Sequence, residues 1–457
     1  MPKNQRNQEA MGTKSIRTLL PRMAVPTIVA QLITTFYNLV DTFFVSQLGT
    51  SATAAVGVNN SLERIITLFA TLIGAGACSY IARLLGSKRR ENADEVMSTS
   101  ITVGLGIGVL MAVIGKLCLS PLVDFLGATP DCRRYSMEYG TYVLYAAPFM
   151  IGSLILNMVL RSEGSATFSM IGIGFGGILN CFLDPLFIFT FDLGVAGASL
   201  ATCISKLVSF AILLWPYLRK KTAVRLSLRC FRFRMADAKE VIGIGMTSFM
   251  RAVLNVVAMV CLNRVAGRYS TSVLAAISVT GRIMMFPFSA ILGFGQGYQP
   301  VVGFNWGAKN YHRVEESLDF AMRVSIFGGL ILGALFCIFA RPLVGLFNSA
   351  GDAEIFRYGC LAIRAEAVFL CLHGTGVIVN MFFAGIGMPR YAMVLSTARQ
   401  GYCFIPLIYL LPLIFDVTGL CIAQGCADLI AGCISFVLYR KAKKLLNAKL
   451  AEAQIVG

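Results

Sequence analysis

Twelve stretches of this 457-residue chain stay apolar for long enough to cross a lipid bilayer, and that property removes most folds from consideration. A hydrocarbon core of roughly 30 Å needs about 20 consecutive apolar residues in a helix. Inside it, every backbone polar group must find its partner within the protein. The predicted spans are 20 to 46, 52 to 82, 94 to 119, 135 to 160, 165 to 190, 195 to 219, 239 to 265, 272 to 302, 314 to 340, 353 to 384, 391 to 414 and 418 to 440. Composition agrees, with 56% hydrophobic and 14% charged residues and a mean hydropathy of +0.72, well beyond the averages of soluble domains. The expectation is an all-α integral membrane protein.

The spans fall into two repeating halves. Ala54-Ala55-Val56-Gly57-Val58, Gly74-Ala75-Gly76 and Gly86-Ser87-Lys88 return, at one gap-free offset of 221, as Ala275-Ala276-Ile277-Ser278-Val279, Gly295-Gln296-Gly297 and Gly307-Ala308-Lys309. Parallel repeats of membrane helices mark many secondary transporters, whose substrate sites lie where the repeats meet. The predicted organisation is an N-terminal segment (1–19), a first six-helix lobe (20–219), a basic linker (220–238), a second six-helix lobe (239–440) and a C-terminal tail (441–457). The lobes are expected to be related by a pseudo-two-fold axis.

A formal charge of +17 could point to nucleic acid, so the placement of the basic residues has to decide. With the N-terminus inside, 26 of the 40 Lys and Arg fall in cytoplasmic segments, 7 in outer loops and 7 within spans, as the positive-inside rule expects. Arg219, Lys220, Lys221, Arg225, Arg229, Arg232 and Arg234 crowd the linker, and Arg440, Lys441, Lys443 and Lys444 follow the last span. Both termini and the linker are therefore expected in the cytoplasm, against anionic lipid and without a nucleic-acid partner. The polar start, with Lys3, Arg6, Lys14, Arg17 and Arg22, leads into a full-length span and reads as no cleavable signal peptide. Fourteen cysteines without paired spacing read as small core residues, and two histidines, His312 and His373, give a zinc site or catalytic triad little to build on. An enzyme is not expected.

Ionisable side chains at membrane depth are costly and are functional candidates by default. Asp41 lies toward the outer end of span 1. Asn180 and Asp184 are four residues apart on one face of span 5, and Pro185 frees the carbonyl of Cys181 from its helical partner. Span 6 offers Thr202. Two carboxylates, an amide, a hydroxyl and a free carbonyl make an oxygen-rich cage for a proton or a hard cation such as Na+. The repeat supplies no second cage: Asp41 meets Ala258, Asn180 meets Tyr402, Asp184 meets Pro406 and Thr202 meets Gln424. Glu63, with Arg64 beside it and Asn59 and Asn60 one turn earlier, reads equally as an attractor of cationic drugs and as an ion-pair partner.

At these residues the chain resembles the multidrug and toxic compound extrusion (MATE) family, in its bacterial DinF-like or MepA-like branch. The resemblance rests on Pro26, on Tyr-Asn-Leu-Val-Asp at 37 to 41, on Arg161-Ser162-Glu163-Gly164, and on Asp184-Pro185-Leu186 followed by Asp192-Leu193-Gly194-Val195-Ala196-Gly197-Ala198. It implies the MATE fold, a monomer in the bacterial inner membrane, and antiport of lipophilic, often cationic drugs against H+ or Na+, with no other cofactor. It places a first-lobe cation site on Asp41, Asn180, Asp184 and Thr202, with Tyr37, Tyr139 and Asn157 around it and Pro26 as a bending point. Ion binding at the cage would then change the bend of span 1 and rock the lobes.

Another branch of the family carries its coupling carboxylates in spans 7 and 10. Here span 7 has Arg251 and Asn255, and span 10 has Glu366 two residues from Arg364, so a second-lobe mechanism is not expected. Arg251 and Glu366 remain candidates for the cavity, Glu366 as a substrate contact or an internal ion pair. The rival reading is a flippase for lipid-linked sugars, which extra helices and a strongly cationic cavity would favour; the sequence gives sign of neither. A channel is disfavoured because the polar intramembrane residues gather in one lobe.

Overall fold

The computed structural model describes residues 9–348 and 351–456; Lys3 and Arg6 of the basic N-terminal segment, and the end of the C-terminal tail, lie outside these. The spans are α1 (Ile16–Ser46), α2 (Thr50–Gly86), α3 (Arg90–Leu117), α4 (Pro130–Ser162), α5 (Ala166–Pro185, continued by a π turn, Leu186–Thr190) and α6 (Gly194–Leu218). The second half repeats the order: α7 (Met235–Ala266), α8 (Thr271–Gly307), α9 (Tyr311–Ile338) and α10, which is broken by 48° between Ala353–Val368 and Leu370–Gly385. Pro389–Gln454 is 66 residues of helix, about 100 Å at the usual rise and far longer than one crossing. Asp416, at φ 53°, divides it into α11 (389–415) and α12 (417–456), which completes twelve spans. The observed helices outrun the predicted ones at most ends, because polar residues extend them beyond the apolar core.

The repeat is metrical. α2 and α8 are each 37 residues, α3 and α9 each 28, and all their ends are offset by 221. Even the caps correspond. Lys88 (φ 61°) and Lys309 (φ 57°) take the left-handed conformation that closes a helix C-terminus, and Arg89 N–H and Asn310 N–H reach back to Leu84 O and Asn305 O at 2.9 Å each. Gly164 and Gly387, with φ of 80° and 82°, do the same after α4 and after α10.

The halves meet through α1 against α8 and α2 against α7. Glycine lets the backbones touch: a Cβ on Gly76 or Gly245 would overlap the carbonyls of Val241 or Leu72, and one on Gly297 or Gly293 would crowd Ala24 or Ile28. All four contacts lie on the half of the molecule toward the linker. There the seam is tied by Tyr80 Oη to Asp237 (2.8 Å), Arg83 to Glu240 (2.8 Å), Ser79 Oγ to Ala384 O (2.5 Å) and Arg161 to Gln296 Oε1 (2.5 Å). Toward the opposite face α2 and α8 part, and Asn60, Arg64, Gly281 and Arg282 are exposed. The linker is itself anchored: the buried Glu163 carboxylate accepts from Tyr217 Oη (2.8 Å) and Ala223 N (2.7 Å). Burial pushes that carboxyl up to about 8, although both hydrogen bonds pull the other way.

Candidate functional site

Between the halves lies a cavity of about 750 Å³, closed on the linker side by the contacts above and open on the other. One wall is built by the i,i+4 faces of three helices. Tyr37 and Asp41 share a face of α1, Asn180 and Asp184 share a face of α5, and Thr202 and Lys206 share a face of α6. The glycines of α5 set the spacing. Gly177 packs against Tyr37 and Gly176 against Ser205 and Ser209, so α1 and α6 press onto α5 with no α5 side chain between.

Asn180 Nδ2 donates to Asp184 Oδ1 (3.0 Å) and to Thr202 Oγ1 (3.4 Å), which joins α5 to α6. Asp184 and Asn180 are 0% and 2% exposed. Three oxygens in this region are buried without any donor: Asp41 Oδ1, Asn180 Oδ1 and Asp184 Oδ2. An acceptor buried in this way costs about 1–3 kcal/mol, more when charged, unless something positive or protic satisfies it. Tyr139, also buried, reaches Thr202 with its hydroxyl and lies within electrostatic range of Asp41, Asp184 and Glu63. The donor set of two carboxylates, an amide oxygen and hydroxyls fits H+ or Na+. Among the described residues, no group of three or more His, Cys, Asp or Glu could hold a metal ion, so Na+ here would rely on the amide and hydroxyl oxygens beside the two carboxylates.

The other sequence candidates are placed variously. Glu63 lines the cavity within range of Asp41, Arg64 and Lys206. Pro26 sits inside an unbroken α1, between Ala24 and Ile28, two of the residues that touch α8. Asn157 also lines the cavity, yet its amide is committed to α5, donating to Ser169 O (3.1 Å) and Oγ (2.6 Å). Asn380, its counterpart in α10, clamps Ala392 O (2.7 Å) and Ser396 Oγ (2.8 Å) of α11. A clamp present in both halves holds helices together. Asn157→Ala and Asn380→Ala should therefore destabilise the protein alike, by about 1–3 kcal/mol in denaturation experiments. A transport defect in Asn157→Ala without loss of stability would instead return Asn157 to the ion site.

Two expectations need correction. The polar intramembrane residues do not gather in one half. In the second half Arg399 forms a two-pronged ion pair with Asp428 (2.5 and 3.2 Å), Gln424 donates to Asp428 (3.2 Å), and Glu366 lies within range of both charges, whereas Arg364 turns to Cys337 O (3.4 Å). Arg399 also sits over the Phe288 ring (4.3 Å), which meets His373 edge-on, and Arg251 acts on His373 from α7. The second correction concerns the cavity's charge: Arg64, Arg161, Lys206 and Arg282 line it against only Asp41 and Glu63. Lys206, Arg399 and Asp428 were not singled out from sequence. A lysine four residues from Thr202 was the available signal.

The matches to known proteins agree with this architecture. The MatE family matches residues 26–186 and 247–410, one segment in each half. Multidrug export protein MepA of Staphylococcus saprophyticus is 27% identical over 420 residues, 91% of this chain and 92% of that protein. MepA of Staphylococcus aureus is 26% identical over the same shares. A crystal structure of MATE in complex with MaL6 superposes with a TM-score of 0.91 at 27% identity, covering 96% of this chain and 99% of that one. An outward-facing multidrug resistance MATE transporter of the MOP superfamily gives 0.90 at 27% identity, covering 95% and 99%.

Proposed function

Since the chain belongs to the MatE family, which matches it in both halves, we propose that it is an antiporter exporting lipophilic compounds, organic cations among them, in exchange for H+ or Na+. The observation that carries this reading is a set of three donorless oxygens at a cavity large enough for a drug: Asp41 Oδ1 and Asn180 Oδ1 belong to residues that line it, and Asp184 Oδ2 belongs to a fully buried carboxylate hydrogen-bonded to Asn180. A coupling ion satisfies them; a drug competes by favouring the state in which they are empty. Ion and drug then prefer different conformations, which is what exchange requires.

The basic linker, the predicted cytoplasmic termini and the glycine-sealed seam all lie on one face, and the positive-inside rule assigns that face to the cytoplasm. The conformation described is then open to the outside of a bacterial inner membrane. Alternating access follows if the α1–α8 and α2–α7 contacts part and the far ends close, with Pro26 a point in α1, like Pro21, where a helical hydrogen bond is missing. A monomer contains the whole cavity.

The test is ethidium transport by purified protein in liposomes, under a pH gradient alone or a sodium gradient alone. Accumulation driven by one of them is expected and identifies the ion. Ethidium flux that ignores both gradients would sink the antiport reading.

A further inference from the structure

The cavity carries more positive than negative charge, and two of its four basic groups keep donors that no protein acceptor takes among the described residues. Lys206 stands on the α6 face that also carries Thr202. Its ammonium donates to Tyr37 Oη (2.7 Å) and lies 4.8 Å from the centre of that ring. Asp41 and Glu63 act on it, but neither forms a direct ion pair with it. An ammonium has three N–H donors. Among the described residues Lys206 therefore leaves two without a protein acceptor, in a membrane interior where a cation is costly.

Its counterpart shows what a satisfied charge looks like in this fold. At the offset of 222 that aligns α6 with α12, Lys206 corresponds to Asp428, which Arg399 and Gln424 saturate with three hydrogen bonds. Across the cavity, on α8, Arg282 is exposed to the same space and makes no hydrogen bond or ion pair among the described residues. Arg161 is held by Gln296 and Arg64 lies beside Glu63. Lys206 and Arg282 are thus the available cations, one from each half, facing a cavity with Leu39, Met150, Leu154, Ile173 and Met285 in its apolar lining.

We infer that this cavity holds a carboxylate-recognition site formed by Lys206 and Arg282, and that its preferred ligands are amphiphiles bearing a carboxylate on an apolar or aromatic body. The inference deepens the export reading and rests on it only for the cavity being the substrate site. The body packs on the apolar wall, the acid accepts from the free donors of Lys206 and from the guanidinium of Arg282, and any positive group on the ligand lies toward Glu63. A cationic ligand without an acid has only Asp41 and Glu63 to meet, against four resident positive charges.

The experiment uses three fluorescent ligands with one common body, titrated into the full-length protein in nanodiscs with empty nanodiscs as the blank. They are dansylglycine (carboxylate), dansylglycinamide (neutral) and dansylcadaverine (cation). Wild type is expected to bind dansylglycine about 10-fold or more tighter than the amide, since charge-assisted hydrogen bonds in a desolvated site are the strong ones. Lys206→Met and Arg282→Gln should each reduce that ratio below about 3-fold, and Lys206→Arg should keep most of it. Arg282 makes no hydrogen bond or ion pair among the described residues, so its variant reads the site even if Lys206→Met folds poorly. A ratio near one in wild type, dansylcadaverine as the tightest ligand, or no effect of either variant overturns the inference. Dansylcadaverine exported under a gradient with dansylglycine unbound would leave antiport standing and remove the acid site. The predicted preference with no transport of any ligand would do the reverse.

Discussion

Asp41→Asn should give a folded, membrane-inserted protein whose gradient-driven ethidium export falls to the level of protein-free liposomes. The amide keeps the shape of the side chain and removes the charge and the titratable proton. Asp41 Oδ1 is buried without a donor, so neutralising it relieves a desolvation cost, and thermal stability should hold or rise by about 1 kcal/mol. That combination separates an ion site from a structural carboxylate, whose loss would destabilise. Because an effector that binds both states equally shifts nothing, removing the group that distinguishes them should abolish coupling rather than weaken it. Binding of the carboxylate ligand dansylglycine, which does not rely on Asp41, should survive. Gradient-driven export above about a tenth of wild type would remove Asp41 from the mechanism.

A comparable loss is expected from a residue with no chemistry of its own. Gly76→Val places a branched side chain where the Val241 carbonyl of α7 now sits, at a backbone contact that cannot yield as a flexible side chain would. Overpacking of this kind costs about 1–3 kcal/mol, and about 1.4 kcal/mol is a tenfold shift between states. The closed linker side should open and export should fall about fivefold or more, with a longer spin-label distance between positions 88 and 239 in a cysteine-free background. Gly57→Ala, on the same helix with open space around it, is the control and should be silent. Wild-type export and unchanged distances in Gly76→Val would mean that the seam is not a gate.

The second prediction also shows what kind of information the sequence held. Gly76 and Gly297 stand out in it as members of the repeated blocks, and the equal lengths of α2 and α8 follow from them. Neither says what each glycine touches. Asn157 shows the same limit at the site: its place beside the cage came from family resemblance, whereas its bonds to Ser169, mirrored by Asn380 on Ala392 and Ser396, belong to helix packing.

What the sequence determined by itself is the number, order and duplication of the spans, the basic face, and the pairing of Asn180 with Asp184. Each of these depends on hydrophobicity or on spacing along one helix, which the chain carries locally. The closed seam, the charge of the cavity, the free donors of Lys206, the solitary Arg282 and the Arg399–Asp428 pair were decided only by tertiary structure. Which way a side chain faces in an apolar helix depends on the rotation of that helix against its neighbours. A lysine or arginine inside a span reads the same from sequence whether it meets a carboxylate, a tyrosine or an empty cavity.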